Sequence, residues 1–234
     1  MSDTENKESE GFNFKTEELY QTQDFYLNHL FDQYGSDKGT LSDRKEKPYP
    51  WFAHTYGGYY SKLFDHCRNN IKLVFECGIG TNNPNLASSM NINAKPGASL
   101  RAWRDYFEKA LIFGGDIDKN ILFEESRIKT YLLDQTNKES ISKMWNKIKK
   151  NNFDLIVDDG LHTFNAAIIL FENSVSYLKD SGIYIIEDAQ DKQLIEFKKF
   201  FDERLSSYNY NIIRLKKAKN SKSNNNLIEV RKKH

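Results

Sequence analysis

The chain has little cysteine, no long apolar run and no excess of either charge, and each shortage excludes a class of protein. Two cysteines in 234 residues, Cys67 and Cys77, cannot make a disulfide framework. Cys77 stands in an apolar run and Cys67 in a helical pattern, so both read as reduced thiols packed like small hydrophobes. That sets the expectation of a reducing, cytoplasmic compartment. No stretch approaches the ~18 apolar residues of a membrane span. The opening MSDTENKESE is polar and acidic, without the apolar centre of a secretion signal. The 34 basic and 33 acidic residues leave a formal charge of +1. Such a balance offers no field to hold a polyanion, so no nucleic-acid partner is expected. The alternative, an RNA-binding module, would have to use the Lys/Arg-rich stretch 216–233, which reads most simply as a solvated hairpin. A GxxxxGK[ST] loop is also missing, which removes P-loop nucleotide enzymes.

What is present is an alternation. Residues 1–15 have few anchors and read as a mobile tail. Leu19, Tyr20, Tyr26, Leu27, Leu30 and Phe31 predict an amphipathic helix over 17–34, and 57–70 predicts a second, so 16–70 reads as a helical cap. From residue 71 onward short apolar runs alternate with helical patterns. The runs are 72–77 (KLVFEC), 111–116, 128–133, 153–157 and 182–186. The helical patterns include 140–149, 164–178 and 192–205. Strand and helix in turn imply a doubly wound parallel sheet. At the end, 208–215 and 227–230 are joined by a polar tract with no helix, which predicts an antiparallel hairpin at one edge. The fold class is therefore α/β and Rossmann-like, with a mostly parallel seven-stranded sheet over 71–234.

Ligands of such sheets bind beyond the carboxyl ends of the strands, so the residues that follow each strand carry the functional reading. The first strand runs into FECGIG, where Gly78 and Gly80 let the backbone turn close to a ligand and Glu76 could receive a cationic amino group. The second ends in GGDID, where Asp116 can accept two hydrogen bonds from a ribose diol. The third ends in LLDQTN, where Asp134 and Gln135 could read an adenine edge; Asp134 could equally cap the next helix. A dinucleotide fingerprint needs a third glycine where Asn83 stands, and its ribose acid comes ~20 residues on, far short of Asp116. On the other half of the rim, IVDDGLH and YIIED deliver Asp158, Asp159, Glu187 and Asp188. Hard oxygen ligands suit Mg2+, which can hold a hydroxyl and lower its pKa. His162 follows closely enough to act as general base. The bland reading of Asp159 is a cap for the helix after it.

The chain resembles the bacterial O-methyltransferases of macrolide sugars, related secondary metabolites and surface polysaccharides. The matching stretches are YGSDKGT (34–40), HTYGGYYSKLF (54–64), FECGIG, PGASLRAW, GGDID, LLDQ, DDGLH and the final ED, in the family's order. The resemblance implies S-adenosylmethionine at Glu76, Gly78, Ser99, Asp116, Asp134 and Gln135. It implies a divalent metal at Asp159, Glu187 and Asp188, and His162 as base. It departs at Leu161, where the family has Ser, and at the TNNPN that continues the glycine loop. The implied activity is methylation of a hydroxyl on a sugar or capsule precursor, with a small-molecule or sugar partner and no membrane; the alternatives are an RNA-binding methyltransferase and a cofactor-binding protein without catalysis, the latter with no dependence on His162. A homo-oligomer stays open. Lys38, His54, Tyr56 and Tyr59 are expected to form a lid over the cofactor. Trp51, Phe52, Tyr59 and Tyr60 are read as either a ring-stacking surface or ordinary packing. Arg101 and Trp103 could order the insertion before the second strand or touch substrate.

Overall fold

The computed structural model describes residues 15–17, 25–40, 48–215 and 226–233. Its centre is a run of parallel strands: β2 (Leu73–Cys77), β3 (Leu111–Asp116), β5 (Ile128–Leu132), β6 (Phe153–Asp158) and β7 (Leu178–Ile186). Two short strands, β1 (Lys15–Glu17) and β4 (Glu124–Glu125), and the pair β8 (Tyr208–Leu215) and β9 (Asn226–Lys232) complete the sheet. The order is β1-β8-β9-β7-β6-β2-β3-β5-β4. β8 and β9 pair antiparallel, and β9 runs antiparallel to β7, which is the expected terminal hairpin. The tract 216–225 that joins them lies outside the described residues.

Both faces are covered, and side-chain alternation assigns the residues. Val74, Leu155, Val157, Ile183 and Ile185 pack toward α1 (Tyr26–Tyr34), α2 (Tyr56–Phe64) and α3 (Ala98–Tyr106). Phe75, Ile156, Tyr184 and Ile186 pack toward α4 (Lys138–Ile148), α5 (Phe164–Ser174) and α6 (Leu194–Asp202). Two cysteines are free, Cys77 buried and Cys67 half-buried. Among the described residues no helix is long and apolar enough to cross a membrane.

Three expectations change. Among the described residues the sheet has nine strands rather than seven, because β1 and β4 add short edges that carry too few residues for a pattern. The first helix begins at Tyr26, not residue 17: residues 15–17 pair parallel with β8, from Lys15↔Ile213 to Glu17↔Leu215. An edge strand leaves its N–H and C=O groups open, and even three residues can take them up. The end of the expected 1–15 tail, Lys15, is therefore in the sheet; 1–14 and 18–24 lie outside the described residues. Finally, α5 stops at Ser174 and Leu178 already begins β7.

Candidate functional site

The carboxyl ends of β2, β3, β5, β6 and β7 surround one cavity of about 610 Å3, within the ~300–1,000 Å3 range of small-molecule sites. Its lining joins Gly78, Gly80, Asp116, Asp134, Gln135, Asp159, His162 and Asp188. Both glycines have left-handed backbone, φ 82° and 83°. At Gly78 the need is also steric, because a Cβ there would stand 2.0 Å from the Asp159 carbonyl oxygen. The glycine loop after β2 thus touches the acid loop after β6 directly, and the Asp159 N–H donates to the Cys77 carbonyl at 2.9 Å.

The expected cofactor residues divide into two groups. Asp116 lines the cavity while its carboxylate accepts the N–H groups of Ile79 and Asp118, each at 2.9 Å. Burial raises its pKa against those bonds. Asp134 does not cap α4. Its Oδ1 accepts from the Thr136 N–H and hydroxyl, and Asn137 caps the helix by accepting from Glu139 and Ser140. Gln135 lines the cavity with its amide engaged: Nε2 donates to Asp158 at 3.1 Å, and Oε1 accepts the Leu161 N–H at 2.6 Å. Glu76 is not on the large cavity. It is 0% exposed and accepts from Ser99 Oγ at 2.7 Å and Trp103 Nε1 at 2.5 Å. Ser99 instead faces a smaller adjoining recess, with Ser36, Lys38, Gly78 and Asp159.

The chemical end is built around two acids and an imidazole. One ligand atom from each of Asp159, His162 and Asp188 can lie within 4.8 Å of the others. His162 Nε2 is 3.1 Å from Asp159 Oδ1 and 3.8 Å from Asp188 Oδ2. Burial opposes a charged ring, but the Asp159 hydrogen bond and the charges of Asp188 and Asp158 outweigh it and hold His162 up to about 9. Both His162 (φ 55°) and Asp188 (φ 52°) sit in the left-handed region, a strained conformation that concentrates at functional sites. Hard carboxylate oxygens with one imidazole, half-buried at a cavity lip, fit a small divalent cation. Asp159 does not cap α5: its side chain goes to Lys38 and His162, and α5 follows Thr163 with no side-chain cap.

Glu187 is turned away from that group. It is 1% exposed and takes hydrogen bonds from Lys38 Nζ and, at 2.6 Å, from the Tyr60 hydroxyl. Lys38 is as deeply buried, at 2%, and its Nζ also meets Asp159 Oδ2 at 2.5 Å and Glu76 Oε1 at 3.5 Å. Burial alone would lower its pKa, yet these carboxylates raise it well above the usual lysine value and keep it charged. Lys38 therefore lies beneath the site rather than over it. His54 lines the cavity, with Nδ1 3.2 Å from Asp188 Oδ1 and Nε2 3.4 Å from Asp37 Oδ2. Tyr56 donates its hydroxyl to the same Asp188 oxygen. Trp51 also lines the cavity and donates Nε1 to Asp37 at 2.7 Å. Tyr59 and Tyr60 are core, bonded to Glu229 and Glu187. Arg101 pairs with Glu125 over the Phe123 ring, and Trp103 packs on Phe31, Tyr60 and Phe107, so both order the insertion.

No protein-family model matches the chain. Over 153 residues it is 29% identical to an 8-demethyl-8-alpha-L-rhamnosyl tetracenomycin-C 2'-O-methyltransferase of Streptomyces olivaceus, covering 65% of this chain and 38% of that protein. A demethylmacrocin O-methyltransferase of Streptomyces fradiae is equally similar, with 65% and 36% covered. The chain thus spans well under half the length of these relatives. Among solved structures, the MycE methyltransferase from the mycinamycin biosynthetic pathway, in complex with Mg and SAH, superposes with a TM-score of 0.62 at 24% identity, over 88% of this chain and 54% of that one. A putative caffeoyl-CoA O-methyltransferase from Staphylococcus aureus gives 0.52 at 12%, over 90% and 100%. The fold is the Rossmann-like methyltransferase fold.

In that fold the motif glycines, Asp116, Asp134, Gln135, Asp159, His162 and Asp188 share one cavity, while Glu76, Ser99 and Glu187 stand behind it. Sequence reading passed over Asp37, Thr81 and the segment Leu86 to Met90, which also line the cavity. For Asp37 a signal existed: it lies in the YGSDKGT stretch whose Lys38 was singled out. The loop 86–90 carries no pattern that points to a ligand.

Proposed function

We propose that the protein is an S-adenosylmethionine-dependent O-methyltransferase acting on a hydroxyl of a sugar, either glycosidically bound or in a glycan precursor. The observation that carries the reading is the meeting of the glycine turn with the Asp159–His162–Asp188 group at one cavity. Bound there, S-adenosylmethionine would supply an electrophilic methyl group, and a divalent ion at Asp159 and Asp188 would lower the pKa of the acceptor hydroxyl. Gly78 and Gly80 give the cofactor backbone to lie against, and Asp116 retains acceptor capacity for a ribose. Asp159 fixes the ring of His162 by accepting from its Nε2, so the hydroxyl proton goes to the ring's other nitrogen, Nδ1. Because that ring is held up to about 9, it serves as a base when Asp159 and Asp188 are neutralised by a cation or when the pH is high. The Trp51 ring, at the cavity wall beside Asp37, offers an apolar face for a sugar with a carboxylate next to it. Similarity to enzymes named for methylating rhamnosyl and related sugars favours a glycoside over a capsule precursor.

The test is methyl transfer from labelled cofactor to a panel of deoxysugar glycosides, nucleotide sugars and RNA. Transfer to a sugar hydroxyl that stops on chelation and in Asp159→Ala supports the proposal. Transfer to RNA with none to sugars overturns it.

A further inference from the structure

Lys38 is a cation set into the acid cluster from below. Its position is fixed by backbone bonds on either side: its carbonyl accepts the Gly57 N–H at 3.0 Å, the Asp37 carbonyl accepts His54 N–H at 2.7 Å, and the Gly39 carbonyl accepts Thr55 N–H at 3.1 Å. The side chain is 2% exposed. Its ammonium touches Asp159 Oδ2 and Glu187 Oε2, with Glu76 Oε1 at 3.5 Å. Asp159 and Glu187 are two of the three carboxylates that the resemblance assigns to a metal. The third, Asp188, faces away from Lys38 toward His54, Tyr56 and His162.

An ammonium paired with a carboxylate neutralises charge that a divalent ion on the same carboxylate would use, and the two cations repel each other. We infer that Lys38 is a resident counter-cation that competes with the divalent ion for the charge of Asp159, holds Glu187 back from it, and so sets how tightly that ion is held. The inference rests on the metal reading proposed above. It gives three otherwise separate contacts one purpose. Lys38 holds Glu187 beside Tyr60, keeps Asp159 turned so that Oδ1 meets His162, and leaves Asp159 and Asp188 as the carboxylates that line the cavity. Glu76 is a second berth: it is anchored by Ser99 and Trp103, so an ammonium pushed off Asp159 and Glu187 keeps a buried partner. A weakly held, exchangeable ion follows, rather than a permanent one.

The experiment measures Mn2+ binding by calorimetry, and by the loss of free-ion paramagnetic signal, for the full chain and two variants. Lys38→Met keeps an unbranched side chain, one atom shorter, and removes its charge. Tyr60→Phe removes the other hydrogen bond to Glu187 and leaves the charge. The expected result is that Lys38→Met binds Mn2+ about tenfold or more tightly than the unaltered chain, with a larger rise in melting temperature on adding the ion, while Tyr60→Phe changes affinity by less than about threefold. If Lys38→Met does not fold in chelator, the inference requires Mn2+ to restore a cooperative melt, and a chain still unfolded in Mn2+ overturns it. Equal or weaker binding in a folded Lys38→Met overturns the competition while leaving the metal reading standing. Equal tightening in Tyr60→Phe also overturns it, because looser packing would then explain the gain. No binding to any of the three proteins overturns the inference and the metal reading together.

Discussion

Replacing Gly78 with alanine should damage this protein far more than the same change at Gly80, two residues along the same loop. Both have left-handed backbone, φ 82° and 83°, and an L-residue there costs about 1–2 kcal/mol. The sites differ in what a Cβ would meet. At Gly80 the nearest atom is Met90 Cγ at 3.4 Å, an ordinary contact with a flexible side chain. At Gly78 the neighbours are backbone: the Asp159 carbonyl oxygen at 2.0 Å, its carbon at 2.6 Å and Gly160 Cα at 2.9 Å. Relief requires moving the loop that carries Asp159 and His162, and overpacking of that kind adds about 1–3 kcal/mol. Gly78→Ala should therefore cost about 2–5 kcal/mol in total and Gly80→Ala about 1–2. In a chain of this size each kcal/mol lowers the melting temperature by about 2–4 °C. Thermal melts followed by circular dichroism give the stability order, and calorimetry with S-adenosylhomocysteine gives the effect on the cavity. Equal losses for the two variants, or a neutral Gly78→Ala, would refute the claim that the cofactor turn and the acid loop are in backbone contact.

Other consequences can be checked on the same protein. His162→Ala should lower methyl transfer by ~10²–10⁴-fold, with partial recovery at high pH as the acceptor ionises unaided; an unchanged rate places the base elsewhere. Because the folded value of His162 (about 9) lies above the ordinary 6.5, its contribution to stability is complete below pH 6.5 and is lost as pH rises through about 9. A melt series over that window should fall for the native chain and be flatter for His162→Gln. Asp158 is 2% exposed, with Oδ2 unpartnered and burial raising its pKa from 3.8 to about 6. A raised carboxyl favours the fold below pH 3.8 and ceases to as pH passes about 6, a penalty of about 3 kcal/mol above that range at ~1.4 kcal/mol per unit. Asp158→Asn keeps the Oδ1 that accepts from Gln135 and Gly160, so it should raise the melting temperature at pH 7.5 and leave it unchanged at pH 4. Equal effects at both would remove ionisation as the cause.

The parallel core was legible because its strands are buried on both faces and so read as unbroken apolar runs: Phe153 to Asp158 is buried throughout. Once those runs were in order, sheet geometry alone put FECGIG, GGDID, DDGLH and the final ED on one rim. What the sequence does not carry is which way a rim side chain turns. Glu76 and Glu187 follow the same spacing logic as Asp116 and Asp188, yet each was drawn inward by a donor far away in the chain. Lys38 is 149 residues from Glu187 and 121 from Asp159. A lysine in a Gly/Ser/Asp-rich loop reads as solvated, and only packing of residues 35–40 under the sheet rim buries it. Asp134 is a similar case. Its spacing allowed a helix cap, but Asn137, three residues later, was better placed for the N–H groups of Glu139 and Ser140.

Calorimetric titration of the purified chain distinguishes a cavity for S-adenosylmethionine, as proposed, from one for a dinucleotide. Saturable binding of S-adenosylhomocysteine and none of NAD is expected, with the affinity reduced in Asp116→Ala, where the proposed ribose acceptor is removed. Tight NAD binding without S-adenosylhomocysteine binding would contradict the proposal.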